Sequence, residues 1–262
     1  MNLNYEVSGL DTAPVVVLIH GLFGDLDNLK SISRALNEHY RVINLDVRNH
    51  GQSPWADTMS FQDMANDVLA VLDKEQIDSA HFLGHSMGGK IAMEIALRHS
   101  GRVSSLIVAD IAPVAYDARH STIIEALCGV DLTAVKSRKD ADQQLAKSIS
   151  EAGVRQFLLK NLRKQDSNDW CWRMNLTALE RCYPDLIGSP TEEGEYNGPV
   201  LFIRGGNSDY IQSSHRKAIL QRFPKAEAKT MEGVGHWLHA EKPNVFNGLV
   251  SRFLDENNSA LC

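Results

Sequence analysis

The sequence predicts an α/β architecture, in which a mostly parallel sheet is flanked by helices and carries an inserted helical segment. Three observations point to it. Continuous apolar runs alternate with amphipathic stretches over residues 1–110, that alternation stops between about residues 115 and 196, and strand-like runs then resume. Strand–helix alternation of this kind gives a doubly wound sheet with right-handed crossovers, whose ligands bind at the carboxyl ends of the strands.

Each element follows from its local pattern. Val15–Ile19, Val42–Leu45, Ala80–Leu83 and Val103–Ala109 are mostly apolar runs, continuous rather than alternating in polarity, as strands buried on both faces are. Asn28–Asn37, Phe61–Lys74 and Gly88–Arg98 between them place apolar residues at helical spacing. In the middle block no strand-like run is found, and Ser121–Leu127, Lys139–Ser150, Val154–Leu162 and Asp169–Leu179 read as short helices rich in charge and Gln. Sheet signals return with Val200–Ile203, a helix at Ser213–Arg222, a weak strand at Glu227–Met231 and a last helix at Pro243–Phe253. The expected organisation is a core of residues 1–114 and 197–262 with a helical cap at 115–196. A separate helical domain would leave each half of the sheet too small to stand alone.

Composition narrows the function. A chain of 262 residues suffices for one large domain with a buried core. A net charge of −6 with no basic run argues against nucleic-acid binding. The first apolar stretch, Val15–Ile19, is too short for a signal peptide or a membrane span. Cys128, Cys171, Cys182 and Cys262 show no CxxC and no metal-ligand spacing, so reduced thiols in a cytoplasmic protein are expected rather than a Cys171–Cys182 bridge.

The chemistry is announced by Phe82-Leu83-Gly84-His85-Ser86-Met87-Gly88-Gly89, the end of a strand, a Gly-x-Ser-x-Gly turn and the start of a helix. This is the sequence form of a nucleophile elbow, which holds Ser86 Oγ clear of the sheet at a helix N-terminus. Gly84 and Gly88 leave room for so sharp a turn. Two other readings are weaker. A serine that merely caps the helix needs no second glycine pattern, and a phosphate-binding loop on Gly84, Gly89 and Lys90 needs Ser or Thr where Ile91 stands.

A serine nucleophile needs a base and an acid to orient that base. His236, in the glycine-rich stretch Gly233-Val234-Gly235-His236-Trp237 between the last strand and the last helix, is the best-placed base. Asp110 and Asp209 each follow a strand and each give the chain order Ser, Asp, His, so position alone does not choose between them. An oxyanion hole needs two convergent amides. Met87 supplies one, and the turn His20-Gly21-Leu22-Phe23-Gly24 the other, with Leu22 favoured over Phe23 and His20 stabilising the turn.

Across nearly its whole length the chain resembles the α/β-hydrolase superfamily, and within it the bacterial YbfF-type esterases and the mitochondrial abhydrolase-domain 11 proteins. The likeness is carried by His20-Gly21-Leu22-Phe23-Gly24 with Asp27-Asn28-Leu29, Asp46-Val47-Arg48-Asn49-His50-Gly51-Gln52-Ser53, Gly84–Lys90, Asp110-Ile111-Ala112-Pro113-Val114, Gly205-Gly206-Asn207-Ser208 and Gly235–Pro243. The Arg-Asn-His-Gly and Gly-Gly-Asn-Ser stretches are the more specific parts. The resemblance favours Asp110 as the acid. It implies hydrolysis of short to medium acyl esters or thioesters through an acyl-enzyme, with no metal or cofactor, under a cap that supplies an acyl pocket. Phe23, Tyr116, Tyr210 and Trp237 are expected to line that pocket, while Arg48, Asn49 and His50 tie loops together nearby. The partner implied is a small acyl ester. Carbon–carbon bond hydrolysis, acyl transfer to another acceptor, and a non-catalytic binding role are the alternatives on the same fold.

Overall fold

In the computed structural model, which describes residues 1–191 and 193–258, seven strands form one sheet. Cys262 lies outside the described residues. The first half of the chain runs β1 (Tyr5–Ser8), β2 (Val15–Ile19), α1 (Lys30–Leu36), β3 (Arg41–Leu45), α2 (Phe61–Lys74), β4 (Ala80–His85), α3 (Met87–Arg98) and β5 (Val103–Ala109). An inserted segment follows, with α4 (Ser121–Cys128), α5 (Arg138–Leu145), α6 (Ala152–Leu159), β6 (Leu162–Lys164), β7 (Trp170–Trp172) and α7 (Leu176–Ile187). The chain then re-enters the sheet with β8 (Val200–Gly205), α8 (Arg216–Arg222), β9 (Ala226–Met231), α9 (Leu238–Glu241) and α10 (Pro243–Asn258).

The strand order is β1-β3-β2-β4-β5-β8-β9, with β1 antiparallel to β3 and every other pairing parallel. After β2 the chain steps out to β3 and then back across β2 to β4. The carboxyl ends of β2 and β4 therefore flank the point where strand order reverses, the crevice in which such sheets place their sites. Alternate residues of β2 serve the two faces: Val17 and Ile19 pack with α2, α3 and the inserted segment, whereas Val16 and Leu18 pack with α1 and α10. Both faces of the central strands are thus covered by helices.

Two expectations are corrected. Residues 115–196 are not wholly helical, because β6 and β7 pair as a short antiparallel hairpin with Leu162 opposite Trp172. The expected helix at Asp169–Leu179 accordingly starts later, at Leu176, where the Asn175 side chain accepts the Ala178 N–H as a cap, and it continues past Pro184 to Ile187. The edge strand β1 had no counterpart in the sequence reading. Cys128, Cys171 and Cys182 are free thiols.

Candidate active site

Ser86 stands between β4 and α3 with φ 54° and ψ −119°, a strained backbone for a residue with a side chain. Tight packing holds it there. A Cβ on Gly84 would lie 2.1 Å from the Gly88 carbonyl oxygen, and one on Gly88 would lie 2.2 Å from the Ile19 carbonyl oxygen. The Ser86 amide is anchored to Ala109 O at 3.0 Å. Its side chain makes no capping bond to the helix it precedes, which leaves Oγ available.

Oγ is instead 3.0 Å from His236 Nε2, and His236 Nδ1 is 2.7 Å from Asp110 Oδ2. The carboxylate can only accept, so Nδ1 carries the proton and Nε2 is the acceptor facing the serine. Asp110 is fully buried, at 0% side-chain exposure. Its Oδ1 accepts the Gly205 N–H at 2.9 Å and its Oδ2 accepts the Ser208 hydroxyl in a very short bond. The Gly-Gly-Asn-Ser stretch at the end of β8 therefore cradles the acid that follows the neighbouring strand β5.

Asp209, the alternative acid, lies outside this arrangement. It is 66% exposed and pairs with Arg119 at 2.6 Å. One residue earlier, Ser208 turns inward to Asp110, whereas Asp209 is left exposed.

The imidazole is held from several directions. Tyr210 stacks on it with ring centroids 4.0 Å apart and 21° between planes. His85, the residue before the nucleophile, donates from Nε2 to the His236 carbonyl at 2.8 Å and so fixes the loop. Tyr116 donates its hydroxyl to Tyr210 O at 2.5 Å and accepts the Ala112 N–H at 2.9 Å, linking the Asp110 loop to the Tyr210 loop.

Of the two amides considered beside Met87, that of Phe23 is engaged, donating to His50 Nε2 at 3.2 Å. Neither the Leu22 nor the Met87 N–H has a hydrogen-bond partner among the described residues. His50 Nδ1 donates to Arg48 O at 3.0 Å, and burial pushes this imidazole down to about 3, so it stays neutral and able to accept. His20 holds the same turn from below, donating from Nδ1 to Gly21 O at 2.8 Å and accepting the Val47 N–H at 3.0 Å. Arg48 is buried against Asp67 at 2.6 Å, and Asn49 accepts the Asn175 side-chain N–H at 3.1 Å. The Arg-Asn-His stretch is thus a tie between loops.

Two chambers meet over Ser86. The larger, of about 200 Å³, is bordered by Phe23, Ile123, Phe157, His236 and Trp237 among others. The smaller, of about 40 Å³, is bordered by Met87, Lys90, Ile111, Tyr116 and Leu186. Leu22, Ser86, His120 and Tyr210 face both. Sequence reading missed His120, Lys90, His85 and His239. His85 had a signal, its place directly before the serine. His120 becomes a site residue only because the inserted segment folds back, and burial pushes its imidazole down to about 4.

Comparison with known proteins gives the family and the fold. Residues 14–243 match the family model described as alpha/beta hydrolase fold. The esterase YbfF of Escherichia coli is 40% identical over 242 residues, covering 92% of this chain and 93% of that protein. The mouse sn-1-specific diacylglycerol lipase ABHD11 is 38% identical over 261 residues, covering 96% and 85%. A solved marine microorganism esterase superposes with a TM-score of 0.93 at 36% identity, covering 96% of this chain and 99% of that one.

Proposed function

The chain belongs to the alpha/beta hydrolase family, and within it we propose a serine carboxylesterase acting on short to medium acyl esters. The observation that carries this reading is the hydrogen-bonded line from Ser86 Oγ through His236 to buried Asp110. Esterase and lipase names among relatives at about 40% identity point the same way.

His236 Nε2 takes the Ser86 proton as Oγ attacks the ester carbonyl, and Asp110 stabilises the imidazolium that forms. The Leu22 and Met87 amides receive the developing oxyanion. The alcohol leaves with the proton from Nε2, and water activated by the same imidazole then releases the acid from the acyl-enzyme. The chain's own residues supply every group this sequence of steps needs. Residues 115–196 serve as a cap that closes the chambers, tied to the core where Asn161 donates to Phe23 O at 2.7 Å. Among the described residues no helix is long and apolar enough to cross a membrane. A cytoplasmic enzyme meeting small esters in solution is the setting we favour.

The test is hydrolysis of p-nitrophenyl esters from acetate to palmitate by the wild type and by Ser86→Ala. A fall in kcat on the order of 10⁶ with the fold retained is expected. A small effect, seen with a fold intact by circular dichroism, would overturn the assignment.

A further inference from the structure

We infer that the smaller chamber receives the acyl group and the larger one the alcohol, so that the enzyme prefers short acyl groups carried on bulky apolar alcohols. The inference deepens the ester-hydrolysis reading above and rests on it. It follows from where the proton has to go. As Oγ bonds to the carbonyl carbon, the hydroxyl proton passes to His236 Nε2. When the tetrahedral intermediate collapses, the bond from that carbon to the alcohol oxygen breaks, and the oxygen's new electron pair takes the proton back from Nε2. The departing oxygen must therefore lie on the His236 side of Ser86.

His236 and Trp237 border the larger chamber and are absent from the border of the smaller one. The acyl carbon stays bonded to Oγ with its oxygen on the Leu22 and Met87 amides, and Met87 borders the smaller chamber alone. The leaving alcohol on the His236 side thus takes the larger chamber, which leaves the smaller for the acyl half.

The two chambers differ in what they admit. The smaller, at about 40 Å³, has room for roughly three water-sized groups, a chain of about two to four carbons. Its mostly apolar border includes one buried amine. Lys90 Nζ sits 4.8 Å from the Tyr116 ring centroid, donates to the Ile187 carbonyl at 3.1 Å, and makes a second, very short bond to Gly188 O. A longer acyl chain would have to press methylenes against a buried amine whose bonds it cannot replace. The larger chamber, about 200 Å³ and walled by Ile123, Val154, Phe157 and Trp237, suits a bulky apolar alcohol.

Two ester series on the full chain test this. The first varies the acyl group on 2-phenylethanol (acetate, butanoate, octanoate), and the second varies the alcohol on acetate (ethyl, hexyl, 2-phenylethyl). We expect kcat/KM to fall about tenfold or more from butanoate to octanoate, and to rise by a similar factor from ethyl to 2-phenylethyl acetate. Leu186→Ala, which opens the smaller chamber, should raise the octanoate-to-acetate ratio about tenfold. Phe157→Ala should instead weaken the preference for the bulky alcohol. Octanoate exceeding butanoate in the wild type, with hydrolysis abolished by Ser86→Ala, overturns the chamber assignment and leaves the esterase standing. No hydrolysis in either series overturns both. Should Leu186→Ala fail to fold, the wild-type profiles decide alone.

Discussion

Asp110 and Asp209 show how far a single residue's role depends on the direction it faces. Both follow strands, and both stand in the expected chain order. Asp110 is buried and holds a positive φ of 53°, which turns its carboxylate under His236. Asp209 faces solvent against Arg119. Asp110→Asn should therefore lower kcat by about 10⁴, the cost of losing the correct imidazole tautomer, while Asp209→Asn stays within a few-fold of wild type. Steady-state kinetics on one p-nitrophenyl ester distinguishes the two, and the reverse ranking would refute the assignment of the acid. Strand position alone does not separate these residues, and only the family resemblance favours Asp110, because the decisive bonds, from Gly205 N–H and the Ser208 hydroxyl, cross between neighbouring strands. The turn's sequence favours Leu22 over Phe23, and the fold adds a reason the sequence does not carry, since it brings His50 to the Phe23 amide.

At the scale of elements, the buried central strands were the readable part. β2 and β5 have the bounds their runs announce, because burial on both faces removes the polar alternation that would blur a strand's ends; the buried Ser105 in β5 is satisfied by His81 at 2.7 Å. α2 likewise begins where Ser60 caps it and ends after Lys74. β1 escaped because it has four residues, lies at the sheet edge and buries little. β6 and β7 escaped because Leu162-Arg163-Lys164 carries too little apolar pattern, although the polar turn Gln165–Asn168 marks the hairpin in retrospect. α3 carries a property no pattern showed. Its Lys90 is buried and reaches the end of α7, and burial pushes its amine down to about 7. An unfolded chain keeps that lysine protonated to about pH 10.4, so it binds more protons than the folded one above pH 7. The group's effect on stability therefore becomes more favourable as pH rises from 7 towards 10, by up to about 1.4 kcal/mol per unit. Urea titrations at pH 7, 8 and 9 should show wild type gaining on Lys90→Met over that range. Parallel curves would show that the lysine stays charged in the fold.

The whole molecule gathers histidines around its site, and most of them are kept neutral by burial. His50 is pushed down to about 3, and His120 and His239 to about 4. For a histidine with a depressed folded value, stability is present above the unfolded value of about 6.5 and is lost as pH falls towards 4. Unfolding at pH 5 should take up close to three more protons at these positions than at pH 8, and the denaturation midpoint should drop accordingly. His239→Gln should remove about one of those protons. A midpoint that does not change between pH 8 and 5 would contradict the burial of these rings. The overall architecture supports the same site from a distance, since the strand-order reversal between β2 and β4 brings Leu22 and Ser86 to one crevice.

The central claim is that Ser86 carries the acyl group, and trapping that bond is its most direct test. The full chain would be treated with a fluorophosphonate, digested, and its peptides weighed while residual hydrolysis of p-nitrophenyl butanoate is followed. The account predicts one adduct, on the peptide containing Ser86, formed in step with the loss of activity and absent from Ser86→Ala. An adduct on another residue, or full hydrolysis by fully labelled protein, would contradict it.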